Sequence, residues 1–329
     1  MVRAVTLFFM VFLVSTVFSQ GGPTCLVKLE VEISATGKVG NIENTTESTC
    51  TDSNLIEKAR EAARKITFEP NIVDGKAVAA SKHVEYTFTP ISQPVDEKAA
   101  AVIAKAIQAL GGDKYLQARS QVSRGSYTIL KAGTVVSFQT FTDAIVYPDR
   151  ERTDFKNGGV KTVQVNTGNT GWVYDGDQDK LRNQTERQIA NFKEGLRTSI
   201  DYLLRGGWKE GELTYVGKRP STLGKRNDVI RLKFPDGFTV EFEFADDGTP
   251  AKAIYKTKNI DGDELTEEDR YAQFVDVNGI KAPFIIDRFT NGAQTSRLNF
   301  DSVEFNKEIA ASAFVMPSNP KDAKKDIKY

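Results

Sequence analysis

Hydrophobic and polar positions alternate along most of the chain, and a few stretches with helical spacing interrupt that two-residue rhythm. The run LVKLEVEISATGKVGNIE reads as two strands folded about Thr36-Gly37-Lys38. Leu55, Ile56, Ala59, Ala62, Ala63 and Ile66 then recur at helical spacing, behind capping oxygens on Asp52 and Ser53. Pro70 and Asp74-Gly75 punctuate, and Val84, Tyr86 and Phe88 alternate as a further strand. The predicted order over 20–89 is strand, strand, helix, strand. TPISQP, with its two prolines, marks a linker at 90–95.

A second unit opens with a helix from Asp96. Ala99, Val102, Ile103, Ala106, Ile107 and Leu110 form its apolar stripe, and Gly111-Gly112 ends it. From Val122 the rhythm is that of strands, with hairpins about Ala132-Gly133 and Asn157-Gly158-Gly159. One long helix is predicted from Glu186 to Leu204, with Ile189, Phe192, Leu196, Ile200 and Leu203 on one face and a capping box from Thr185 and Gln188. Gly195 in its middle costs about 1 kcal/mol against alanine, which marks this helix for movement. Pro235-Asp236-Gly237, Asp247-Gly248, Asn278-Gly279 and Asn291-Gly292 are hairpin signals. The first of them sets Ile230, Leu232 and Phe234 opposite Phe242, Val240 and Phe238, with Arg231 opposite Glu241 on the other face. About ten strands with two substantial helices to cover them predict a curved antiparallel sheet, a half-barrel wrapped on a helix, over 96–317. The fold class is α+β, and 318–329 reads as a flexible tail.

Charge adds an exclusion. Lys plus Arg equals Asp plus Glu at 44 each, so no global field favours nucleic acid. A single histidine, His83, leaves little room for His-based metal or triad chemistry. The segment 1–19 carries Arg3 ahead of an apolar run from Ala4 to Phe18, shorter than the roughly 20 residues of a spanning helix. It reads as a secretory signal cleaved before Gln20, with an uncleaved anchor as the alternative. The expected location is the periplasm or cell envelope. In the folded hairpin, paired positions sum to about 75, which brings Cys25 and Cys50 together as a structural disulfide.

The first unit, with VEISATGKVGNIE, a helix, ITFEPNIVDGKAV and VEYTF, resembles the C-terminal domain of the TonB family. The resemblance implies a periplasmic module that touches outer-membrane receptors, partly by strand addition. The family often has an aromatic where Ile66 stands. A Pro-rich spacer is missing here, so a borrowed binding module is favoured over an energy transducer, which is the alternative reading. The second unit resembles the outer-membrane lipoprotein-sorting (LolA-like) family. The carrying residues are the opening helix ending ALGG, Pro148-x-x-x-Arg152, GWVYDG, the helix after it and the closing VEFNKEIAASAFVMP. That resemblance implies a half-barrel holding acyl chains, with Arg152 steadying a closed lid; the aromatic common before the arginine is Glu151 here.

The expected function is therefore non-enzymatic: sheltering a hydrophobic acyl ligand or a lipoprotein, with an outer-membrane protein as partner and no cofactor. Phe138, Phe141, Trp172, Phe234 and Phe242 are the expected lining, and Ile189, Phe192 and Leu196, with Arg152, the expected lid. Asp175, Asp177, Asp179 and Glu186 fall on calcium-loop positions, but Lys180 stands where the sharp turn wants glycine. A solvated acidic turn explains the same residues.

Overall fold

The computed structural model describes residues 25–51, 53–73, 76–88, 96–222, 224–259 and 261–329. The expected signal, the linker and Asp74-Gly75 lie outside the described residues. The chain divides into two compact units, 1–94 and 95–329.

In the first unit β1 (Cys25–Ile33) is the central strand, between β2 (Val39–Asn44) and β5 (Ala80–Phe88). Val27, Leu29, Val31 and Ile33 point to one face and are buried, while Glu30 and Glu32 between them are exposed. The helix α1 (Ser53–Arg64) covers that face with Ala59 and Ala63. A short pair, β3 (Asn71–Val73) and β4 (Lys76–Val78), is an addition to the predicted order. Gly37 has φ +78°, and the Phe68 carbonyl stands where a side chain would begin.

Cys25 and Cys50 are bonded, with Cα atoms 4.6 Å apart. The route differs from the expected one. An irregularity between Val31 and Ile33 shifts the hairpin, so Val31 faces Ile42 and the ladder ends at Asn44. The chain then turns back, and the amides of Thr49 and Cys50 both donate to the Leu26 carbonyl. That turn delivers Cys50 to Cys25.

The second unit begins with α2 (Glu97–Leu110), capped by the Asp96 carboxylate on the amides of Lys98 and Ala99. It ends at Gly111, followed by α3 (Asp113–Gln117). Thirteen strands then form one antiparallel sheet. In chain order they are β6 (Ser120–Lys131), β7 (Thr134–Val146), β8 (Arg150–Asn157), β9 (Val160–Thr167), β10 (Thr170–Asp175), β11 (Lys180–Asn183), β12 (Glu212–Pro220), β13 (Arg226–Lys233), β14 (Thr239–Phe244), β15 (Pro250–Lys258), β16 (Glu264–Val277), β17 (Ile280–Thr290) and β18 (Ala293–Phe305). Across the sheet the order is β11-β10-β9-β8-β7-β6-β18-β17-β16-β15-β14-β13-β12. The hairpin register holds as expected, with Ile230 on Phe242, Leu232 on Val240 and Arg231 on Glu241.

The sheet is strongly curved. On a flat sheet β12 and β17 would lie five spacings apart, about 24 Å at about 4.8 Å each. The single helix α2 touches both of them. It does so with its two ends: Asp96 at its N-terminus accepts from the Tyr215 amide of β12, and Gly111 at its C-terminus lies against Gly279 and Ile280 at the start of β17, so α2 runs across the strands of a curved, unclosed sheet. The sheet curls toward the helix-bearing face, on which the Arg288 charge of β17 acts on Glu151 of β8, four strands away.

The segment 186–210 links one edge strand, β11, to the other, β12. The expected single helix is two: α4 (Glu186–Thr198) and α5 (Ile200–Leu204). The break falls at Ser199 rather than Gly195, because the Ser199 backbone is extended and its hydroxyl caps the amides of Asp201 and Tyr202.

Residues 318–329, expected as a flexible tail, are docked. They include α6 (Pro320–Ala323), and Ala323 and Ile327 are buried. Ala323, together with Phe314 just before the segment, packs near Trp172 and Tyr174, while Ile327 packs near Val122 and Ala144. The convex face of β6–β10 is apolar there, and the tail is what covers it.

Candidate functional site

The two halves of the concave face differ. Over β12–β15 it is sealed: Ile230, Leu232, Val240 and Phe242 show no exposure beneath α2 and α5. Over β16–β18 and β6–β8 it is only partly covered. There Tyr271, Ile286, Leu298 and Tyr127 stand side by side on successive strands, and all four are half-buried. In the neighbouring row Phe300, Phe141 and Phe155 meet across Gly125. The rings of Phe141 and Phe300 are perpendicular, 5.5 Å apart, and those of Tyr127 and Phe155 lie at 6.2 Å. At the rim a depression of about 380 Å³ is lined by Gln139, Phe155 and Thr162, the 157–160 turn and Asp177.

Charged groups share this face. Asp143 accepts a hydrogen bond from Thr153 Oγ1 at 2.9 Å, and Glu151 lies on the far side of that hydroxyl at 3.5 Å. From β17, Arg288 Nε stands 3.5 Å from Asp269. Burial pushes the carboxyls of Asp143, Glu151 and Asp269 up from the usual range, and the Arg288 charge opposes it at Glu151 and Asp269. Yet Asp143 and Glu151 are not closed off by area, and 49% of the Arg288 side chain is accessible. The half-exposed concave surface of β16–β18 and β6–β8 is the candidate hollow. The charge of Arg288 on β17 is felt at Glu151 on β8, four strands away, as expected for facing walls.

The helix α4 carries the expected lid residues. Ile189, Phe192 and Leu196 are each only half-buried, and Thr198 alone in this helix is buried. Its capping box is formed by Thr185 and Gln188. Its C-terminal end is held by Arg197, which bonds Asp236 and lies over the rings of Phe234 and Phe238.

The five expected lining aromatics do not share one wall. Phe141 faces the hollow. Phe242 is in the sealed core, and Phe234 packs beneath Arg197. Trp172 is on the convex face, where its Nε1 donates to the Phe314 carbonyl. Phe138, one position out of phase with Tyr127 and Gln139, is 55% exposed on that same outer side. Strand parity decides these placements, and composition carries no parity.

Arg152 requires the clearest correction. It pairs with Ala144 and Val165, both buried on the convex face, so it points away from α4. Its guanidinium bonds Asp154 and the carbonyls of Ala313 and Lys325, and so it anchors the C-terminal segment. Its neighbour Glu151 is the residue on the hollow side.

The acidic turn is spent locally. Asp175 accepts from the amides of Asp177 and Gln178, and Asp179 bonds the Tyr174 hydroxyl and Lys324. Among the described residues no group of three or more His, Cys, Asp or Glu side chains is arranged for a metal ion, and no helix is long and apolar enough to cross a membrane.

No family model matches the chain, and no curated protein does. Among solved structures it is similar to a DUF1329 family protein from Desulfovibrio piger, at 11% identity over 66% of this chain and 97% of that one, with a TM-score of 0.49. An outer membrane lipoprotein-sorting protein domain from Vibrio parahaemolyticus follows at 9% identity and a LolA superfamily protein from Nitrosomonas europaea at 13%, both with 66% and 97% coverage and a TM-score of 0.46. Likeness at this level leaves the geometry of the hollow as the ground for function.

Proposed function

We propose that the second unit is a non-enzymatic carrier or sensor that shelters the apolar part of a lipid-like ligand in the hollow between β16–β18 and β6–β8. The chain would work as an exported protein of the periplasm or cell envelope. One observation carries the reading: Ile286, Leu298, Phe300, Tyr127 and Phe155 keep accessible surface on the concave face, while the same face over β13–β14 is sealed. A wall of that kind gains about 0.8 kcal/mol for each methylene it covers. The helix α4 is the proposed lid, because its apolar stripe is half-buried and it lies in the connection between the sheet's two edges.

The test is solvent extraction of the purified protein with mass spectrometry, followed by titration with a fluorescent fatty acid. Stoichiometric lipid or saturable uptake, lost in Leu298→Glu, is expected. Lipid-free protein that ignores the probe overturns the reading. The TonB-like partner of the first unit stays a separate proposal, tested by crosslinking to outer-membrane receptor plugs.

A further inference from the structure

The hollow holds one cation with its hydrogen-bonding capacity unspent. Arg152, Arg197, Arg205, Arg219, Arg231 and Arg297 each donate to a carboxylate or a carbonyl. Among the described residues Arg288 makes no side-chain hydrogen bond. Its nearest anion is Asp269, at 3.5 Å from Nε, and 49% of its side chain is accessible. A guanidinium has five N–H donors in a planar fork. About half of this side chain is accessible, and it lies on the same face as Ile286 and Leu298.

We propose that Arg288 receives the anionic head of the ligand, a carboxylate or phosphate at the end of an apolar chain. The inference rests on the hollow being a ligand site. The fork geometry suits two oxygens on one atom, which both head groups offer. The adjoining row Tyr271, Ile286, Leu298 and Tyr127 supplies wall for the chain.

The groups facing Arg288 decide whether an added anion is tolerated. Glu267, on β16, accepts from the Thr290 hydroxyl at 2.8 Å. Asp143 Oδ1 accepts from Thr153, and Arg288 is not among the charges acting on its carboxyl. Asp269 and Glu151 remain; Asp269 stands 3.5 Å from Nε, and neither carboxylate is hydrogen-bonded to the guanidinium. Tyr127, Tyr255 and Tyr271 stand close enough to act on the charge. An incoming head group would thus compete with one ion pair at 3.5 Å and would find unspent donors.

The experiment compares ligands that share one chain. Hexadecanoic acid, hexadecyl phosphate, hexadecanol and hexadecyltrimethylammonium, each kept monomeric, displace a fluorescent probe from the full protein and from Arg288→Met and Arg288→Lys. For the native protein the two anions are expected to bind about tenfold or more tighter than the alcohol. In Arg288→Met that preference disappears while alcohol binding persists, and Arg288→Lys keeps part of it. The order of acid and phosphate tells which head the site takes. Alcohol or ammonium binding as well as the anions, or a preference unchanged in Arg288→Met, overturns the proposal and leaves the hollow standing. Failure of all four ligands to bind removes the ligand site itself. Near-ultraviolet circular dichroism establishes that both variants are folded before their affinities are read.

Discussion

Arg197 and Asp236 are joined by a forked pair of hydrogen bonds, 2.8 Å and 2.7 Å, that ties the end of α4 to the β13–β14 turn. The guanidinium also lies 3.9 Å from the centre of the Phe234 ring. The helix α4 is therefore fixed at its C-terminal end, and its remaining turns are held by the half-buried Ile189, Phe192 and Leu196.

Breaking this clamp should free the helix. Arg197→Ala is expected to lower stability by about 1 kcal/mol, since the pair is partly exposed and the stacking adds to it. Amide exchange over 186–198 should rise well above that over β13 and β14. The Asp236 carboxyl is held below its usual range by Arg197. The clamp's contribution is thus present above the unfolded carboxyl's pKa and is lost as pH falls through the lower folded value. Equal exchange in native and variant protein would argue against α4 as a clamped lid.

Asp143 gives the opposite pH signature. Burial, then Glu151, raises its carboxyl well above the usual range. The folded state therefore binds this proton more tightly, and stability falls as pH rises from the unfolded value, near 4, towards the folded one. Asp143→Asn is expected to raise the urea midpoint at pH 7 and to have little effect near pH 4. A variant less stable than the native protein at pH 7 but not near pH 4 would show that the carboxylate is needed charged.

Arg152→Ala should release the C-terminal segment. It removes the donors to the Ala313 and Lys325 carbonyls and leaves Asp154 buried with Lys161 as its remaining cation. Unpairing part of a buried charge network costs about 3 kcal/mol. Limited proteolysis should then cut within 318–329 before it cuts the sheet. An intact terminus under those conditions would assign Arg152 a different role.

Replacing Cys25 and Cys50 with serine opens a loop with a sequence separation of 25. The loss is expected to be about 3 kcal/mol, confined to the first unit. Two-probe unfolding, with the tryptophans reporting the second unit, should show only the first transition shifted; both Trp172 and Trp208 lie in the second unit.

Much of this architecture was legible in local signals. The Thr185–Gln188 capping box, the Gly111 stop and the Ile230-to-Phe242 register follow from capping, glycine conformation and two-residue alternation, all properties of short stretches. The break at Ser199 was not legible, because a serine can sit within a helix or cap one, and packing of Ile200, Leu203 and Leu204 selected the cap. The disulfide partners were legible and their route was not, since an irregularity within a strand alters register without a sequence mark.

The site was the harder part. The alternating pattern distinguishes a strand's two faces and does not say which one curls inward. That is why Trp172 and Arg152, expected inside, lie on the convex face under the C-terminal segment, while Glu151 and Arg288 reach the hollow.

The chain's own sequence determined the strands, the caps, the turns and the export-compatible cysteine pair, because each depends on neighbours a few residues apart. Tertiary structure decided the concave face. The rows of β16–β18 and β6–β8 share it only because strands far apart in the chain, β6 and β18 among them, pair into a single curved sheet.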